Sequence, residues 1–259
     1  MKKYILLAVM AAALAACGKQ QDGTEGNNSA STENAPVYRV VTEMLNIPLI
    51  IKNGRDDSGF ELELIKAIAE KQGMRLEFIV HPWQGIFNTL GNGKSDIVVG
   101  AVTYTKERAE SMDLTDPHLE YEFAMLVHEK AADARNFADM RGKPVSLKRD
   151  SVAETLIPMF GSPEESNIIR TTTTWEAIKA VLADESMAAV GSSAVMHYYA
   201  KQYQDNHLSV LTDPALPKKQ YVFAVKKGNA ALVRQLNEGL AKVKADGTYN
   251  ALYKKYWPQ

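Results

Sequence analysis

SDIVVGAVTYTKER, residues 95–108, opens as a buried strand and turns polar without a gap. Ile97, Val98 and Val99 form a short apolar run; two threonines, a lysine, a glutamate and Arg108 follow. Such a run, left abruptly, is consistent with a strand that ends at a turn or at a site. Working outward decides which. Upstream, YRVVT (38–42) alternates like a strand. FELELIKAIAEKQ (60–72) places Phe60, Leu64, Ile65, Ile68 and Ala69 on one helical face, and Gly73 stops it. MRLEFIV (74–80) predicts the next strand and GIFNTLGNG (85–93) a short helix. The order β-α-β-α-β predicts a parallel sheet with helices on its faces.

Downstream the pattern restarts. GKPVSL (142–147) predicts a strand, 151–160 a helix, SNIIRTTTT (166–174) a strand running into a helix over 175–183, and 187–190 a short strand. Ser151 with Glu154, and Thr173 with Glu176, have the spacing of capping boxes. YVFAV (221–225), an amphipathic helix over 229–246 ended by Gly247, and a final helix over 249–257 close the chain. Two α/β units in succession imply two lobes, with ligands bound beyond the carboxyl ends of the strands and between the lobes. The tail of residues 95–108 lies at such an end.

The first residues, MKKYILLAVMAAALAAC, place two lysines before an apolar stretch of 4–14 and a small-residue end. This is the pattern of a signal peptide, and its apolar part is well short of the roughly 20 residues of a bilayer-spanning helix. Leu14-Ala15-Ala16-Cys17 resembles the lipobox of bacterial lipoproteins, which implies lipidation of Cys17 as the first residue of the mature chain. Cys17 is the only cysteine, so no disulfide within the chain is expected. Residues 18–36 are rich in Gly, Asn, Ser and Gln and predict a disordered tether reaching about 25 Å. The chain is 46% hydrophobic with a net charge of −1, a balance that points to neither nucleic acid nor an acidic surface as partner.

SGFELELIKAIAEKQG, PWQGIFNTLGNGKSDIVVGAVTYTKER, MDLTDPHLEYEFAMLV and DGTYNALYKKYW, in that order across 38–257, resemble the amino-acid-binding proteins of bacterial ABC importers, the polar amino-acid type of solute-binding protein family 3. The resemblance implies the type II periplasmic-binding-protein fold: two α/β lobes joined by two hinge strands and closing on a ligand. It implies lobe 1 at 37–119 and 220–259, and lobe 2 at 120–219. It further implies a monomer, held at a bacterial membrane on the periplasmic or cell-surface side by its lipid, that hands a small amino acid or related carboxylate to an ABC permease.

The same resemblance assigns residues. Arg108 grips the ligand carboxylate, as a guanidinium fork is built to do and a lysine is not. By spacing alone, an exposed arginine paired with Glu107 or Glu110 competes evenly. Thr103 offers a hydroxyl and a backbone N–H, and the Ala101 carbonyl faces the ligand ammonium. Trp83 covers the ligand side chain, with core packing as the rival reading. Glu43 falls where many members carry an acid after the first strand and Asn46 where many carry an aromatic, with an ordinary polar strand-end loop as the rival reading for both. Ser151 and Val152 present a helix N-terminus to the carboxylate, and Ser151 is equally a plain cap. Lys148 is within reach of the ligand side chain, and Asp150 stands where glycine is usual. At Ser192 the family usually has an aspartate that binds the ammonium. A neutral hydroxyl does not replace that charge in a dehydrated cleft, so either Glu43 takes the role or the ligand lacks an ordinary ammonium.

Two other classes remain open. The fold also hosts periplasmic dehydratases of cyclic acids, and a lipoprotein of this shape can bind a protein partner. No cofactor is expected: the sequence carries no G-x-x-x-x-G-K-[ST] loop. Nor is a metal expected, since the five histidines show no close ligand spacing.

Overall fold

The computed structural model describes residues 35–54 and 56–258. The signal peptide, Cys17 and nearly all of the tether therefore lie outside the described residues. In chain order the elements are β1 (Val37–Thr42), β2 (Leu45–Asn46), β3 (Ile50–Ile51), α1 (Phe60–Lys71), β4 (Arg75–Val80), α2 (Asn88–Gly91), β5 (Ile97–Thr103), α3 (Lys106–Ser111), β6 (Asp113–Leu114) and β7 (Leu119–Tyr121). Next come β8 (Phe123–Val127), β9 (Pro144–Lys148), β10 (Asn167–Thr171), α4 (Thr174–Leu182), β11 (Ala188–Ser192), α5 (Ser193–Gln202) and β12 (Ser209–Thr212). Finally, β13 (Lys219–Val225), α6 (Ala230–Ala245) and α7 (Thr248–Tyr256) return to the first sheet.

Two mixed sheets form the two-lobed α/β fold. The first has the order β4-β1-β5-β13-β6, with β7 also on β13. Strands β4, β1 and β5 are mutually parallel, as the alternating strands and helices predict, whereas β13 runs antiparallel to β5. The alternation of the strands buries both faces of this sheet. Val40, Ile97 and Val99 face the core that contains α1, while Val41, Val98 and Val102 face a second core with Trp83, Ile86 and Leu90. Helix α1 packs on α6 at Gly239, where a Cβ would stand 2.7 Å from Ile68 Cγ2. Only glycine permits that approach.

The second sheet has the order β10-β9-β11-β8-β12. Its strand β8, FAMLV, is buried at all five positions and runs antiparallel to both β11 and β12. A short run that is apolar throughout has no period to read, and neither β8 nor α5 was expected from the sequence. Thr173 and Glu176 form the expected capping box on α4. Ser151 and Glu154 do not. Residues Val152–Phe160 wind as 3₁₀, Ser151 Oγ accepts from the Ala153 N–H, and Glu154 Oε2 accepts from Asp150 N rather than from Ser151. Three residues per turn instead of 3.6 move the third N–H out of line.

The chain leaves the first sheet through Glu122, between β7 and β8, and returns into β13. The departing and returning strands pair antiparallel, Tyr121 with Lys219 and Leu119 with Tyr221. The seam between the sheets thus starts beside Tyr121 and Tyr221, whose rings stack at 4.3 Å.

Candidate ligand site

At that seam a cavity of about 60 Å³ opens onto Arg108, Thr103, Ala101, Trp83, Asn46, Ser151, Val152, Lys148 and Ser192. Nine of the ten candidate residues therefore meet in one place. The tenth, Glu43, lies behind Lys148 instead of on the wall.

The first sheet supplies one side. Between Val98 and Val102 the register with β13 shifts, because β5 carries two extra residues opposite Phe223. The bulge places Ala101 at φ 55°, a conformation that L-residues other than Asn and Asp seldom take. It also turns the Ala101 N–H onto Glu61 Oε2 at 2.7 Å. Glu61 is fully buried and its other oxygen meets His118 Nε2 at 2.9 Å, so a buried pair behind the wall fixes the bulge. Bulges of this kind re-aim a strand beside a site.

Helix α3 starts at Thr105, whose side chain accepts from Arg108 N. Arg108 folds back from this first turn, and its guanidinium donates to the Thr103 carbonyl at 2.8 Å. It lies 4.9 Å from the Phe87 ring centre and 5.6 Å from that of Trp83. Among the described residues it meets no carboxylate at ion-pair distance; neither Glu107 nor Glu110 takes it. Burial pulls its pKa below the ordinary arginine value, with weak opposition from Tyr121 and Glu107. Tyr121, which sequence reasoning did not single out, bonds its hydroxyl to Thr103 Oγ1 at 2.7 Å. Burial pushes that phenol up, so it stays neutral.

Trp83 satisfies both of its readings. It is buried in the second core, edge-on to Phe87, and it also forms a wall of the cavity. Its indole N–H crosses the seam to the Asp150 carbonyl at 3.0 Å. Asp150 adopts φ 59°, the left-handed conformation that explains a preference for glycine at this position, and aspartate tolerates it better than most.

The second sheet supplies the other side. Ser151 Oγ donates to the Lys148 carbonyl at 2.7 Å and caps the 3₁₀ helix that begins at Val152. Lys148, at the end of β9, points across the seam, and its Nζ sits 2.7 and 2.6 Å from the two Glu43 oxygens. Burial pushes the Glu43 carboxyl up and the Lys148 ammonium down, and their mutual attraction opposes both shifts. Ser192 ends β11 beside the Tyr221 phenol. Its Oγ and Asn46 Oδ1 are buried without a well-formed hydrogen bond. No Asp, Glu or His lines the cavity among the described residues.

This is a partly enclosed groove with a guanidinium that has donors to spare, aromatic walls and two buried polar atoms, Asn46 Oδ1 and Ser192 Oγ, left to satisfy, and it suits a small carboxylate. The family model described as "Bacterial extracellular solute-binding proteins, family 3" matches residues 38–259. A "Probable histidine-binding protein" of Neisseria gonorrhoeae is 31% identical over 264 residues, 99% of this chain and 96% of the relative. Among solved structures, an ancestral arginine-binding protein bound to arginine superposes with a TM-score of 0.79 at 29% identity, covering 85% of this chain and 97% of that one. An ancestral amino-acid-binding protein described as a precursor of cyclohexadienyl dehydratase gives 0.75 at 31% identity, covering 85% and 94%.

Proposed function

This chain belongs to the bacterial extracellular solute-binding proteins, family 3, and from that membership we propose how it serves as the capture component of an ABC importer. The ligand is an amino acid or related small carboxylate. It docks on the first lobe through Arg108, Thr103 and the Ala101 carbonyl, with Trp83 against its side chain and Asn46 beside it. The second lobe then adds Ser151 and Val152 at the start of the 3₁₀ helix, with Ser192 at the far wall. The observation that carries this reading is the Arg108 guanidinium, half-buried in the seam and with no carboxylate at ion-pair distance among the described residues.

Capture without chemistry is the reading we favour. General acid–base catalysis needs a titratable group within hydrogen-bond reach of the reacting atoms. Glu43, the acid considered for such a role, has both oxygens on Lys148, and no Asp, Glu or His lines the cavity among the described residues. In this reading the protein works as a monomer, tied by a lipid on Cys17 to a bacterial membrane, and presents its loaded form to the permease.

The test is a thermal-shift screen of the purified full chain against amino acids and small carboxylates, with mass spectrometry of what co-purifies. A ligand that raises the melting temperature and is recovered unchanged supports capture. Turnover of the ligand overturns it. Metabolic labelling with a fatty acid, compared with a Cys17→Ser chain, tests the anchor, and light scattering tests the monomer.

A further inference from the structure

Lys148, Glu43 and Trp83 form an arrangement that the capture reading leaves unused. A carboxylate beside the face of an indole is a receptor for a cation. Glu43 and Trp83 form such a receptor on the first lobe, and both are almost fully buried. The second lobe fills it: the Lys148 ammonium meets both Glu43 oxygens and stands 4.0 Å from the centre of the Trp83 ring. The lysine side chain is 8% exposed.

We infer that Lys148 is a built-in occupant of the cation position, so that the cleft rejects ligands with a cationic side chain and admits carboxylates whose side chain is neutral or acidic. This rests on the solute-binding reading above. Two physical points carry it. First, a ligand ammonium or guanidinium seeking Glu43 and Trp83 must displace Lys148. That leaves a buried ammonium without its counter-charge, which is strongly unfavourable. Second, the cationic side chains on the cavity wall, Arg108 and Lys148, face a ligand directly, whereas the neighbouring carboxylates lie behind the wall, Glu43 on Lys148 and Glu61 on the Ala101 N–H and His118. A cationic side chain brought into the cavity therefore meets like charge at close range, and a neutral or acidic one does not. An ammonium has three N–H donors and Glu43 takes two, so Lys148 keeps a third for an acceptor on the ligand side chain.

The experiment compares the full chain with Lys148→Met and with the double variant Lys148→Met/Glu43→Gln. Each is titrated calorimetrically with L-arginine, L-lysine, L-glutamine, L-glutamate and, at pH 8, L-histidine. The wild type should bind at least one neutral or acidic member and give no heat with arginine or lysine at millimolar concentration. Lys148→Met bares Glu43 and should gain arginine or lysine binding by at least about tenfold; the double variant should lose that gain. If Lys148→Met does not fold, Lys148→Gln takes its place. Wild-type binding of arginine or lysine as tight as of any other member overturns the inference alone. So does a folded Lys148 variant that gains nothing. Absence of binding by every chain to every member overturns this inference, while the solute-binding reading is decided by the wider screen above.

Discussion

Replacing Arg108 by alanine should nearly abolish ligand capture while leaving the empty protein almost as stable as before. The guanidinium carries five N–H donors and spends one on the Thr103 carbonyl at 2.8 Å. A bidentate grip on a carboxylate uses two more, each charge-assisted bond contributing about 1.5–3 kcal/mol. Arg108 is half-buried, so water competes in part and the low end applies: about 3 kcal/mol, or roughly a 150-fold rise in Kd. Lysine at 108 keeps the charge without the fork and should recover about tenfold of that loss. Without ligand the balance differs. The Thr103 bond is lost, but a desolvated cation with no carboxylate partner among the described residues is relieved at the same time. The two roughly offset, and the melting temperature should move by no more than about 3 °C. Calorimetric titration with the ligand found by the screen, together with melting curves with and without it, measures both effects. A Kd within about fivefold of wild type refutes the reasoning. So does an affinity loss that merely follows a melting point depressed by ten degrees or more.

Other substitutions test the supports. Trp83→Phe keeps an aromatic wall but loses the bond to the Asp150 carbonyl and part of the core packing, so ligand affinity should fall about fivefold to tenfold by titration, and the denaturation midpoint should drop as for a loss of about 1–2 kcal/mol. Gly59→Ala should destabilise by about 3 kcal/mol in urea melts, because Gly59 sits at φ 115° and a Cβ would lie 2.4 Å from the Leu49 carbonyl oxygen. Burial pushes the Asp96 carboxyl up, but hydrogen bonds from the Arg39 side chain and backbone outweigh it and hold the pKa below the ordinary value. The folded state therefore takes up this proton less readily than the unfolded one. Its contribution is complete above the ordinary carboxylate range and fades as pH falls through the lower folded value. Asp96→Asn should thus cost about 1 kcal/mol at pH 7, a figure discounted for the partly exposed pair, and the gap to wild type should close as pH falls through the lowered folded value. Glu61→Ala should cost about 3 kcal/mol by the same melts, since it strips the partly buried Ala101 N–H and the buried His118 Nε2 of their acceptor together.

What was legible in the sequence was local. Helix α1, the β4 and β5 strands and the capped start of α4 show themselves through a period or a cap that neighbouring residues settle among themselves. Strand β8 did not, because a central strand buried on both faces has no alternation, and only its antiparallel partners β11 and β12 make it a strand. The bulge at Ala101 was equally hidden. Nothing in GAVT signals φ 55°; the conformation is held from outside by Glu61, forty residues upstream in the chain. The candidate residues could be named from the family's motifs, yet the motifs say nothing of partners. Glu43 was weighed as a stand-in for the ammonium-binding aspartate, and the structure commits both its oxygens to a lysine 105 residues away.

That long-range pair also bears on how the cleft closes. Among the described residues, other hydrogen bonds also cross between the sheets: Trp83 to the Asp150 carbonyl, Gln84 to the Arg149 and Thr172 carbonyls, and Trp257 to the Ala194 carbonyl. Each favours the shut arrangement whatever occupies the groove. A ligand shifts the population only by what it gains on closing beyond these contacts. On the proposed assignment, that gain comes from Ser151, Val152 and Ser192, while Arg108 binds the ligand on the first lobe alone. Weakening Arg108 should therefore lower affinity in the open and shut forms alike. Breaking the Glu43–Lys148 pair should instead shift the balance between the forms. Trp83 takes part in both effects, since one side chain is at once the wall against the ligand and the donor across the seam, so its substitution should alter affinity and closure together.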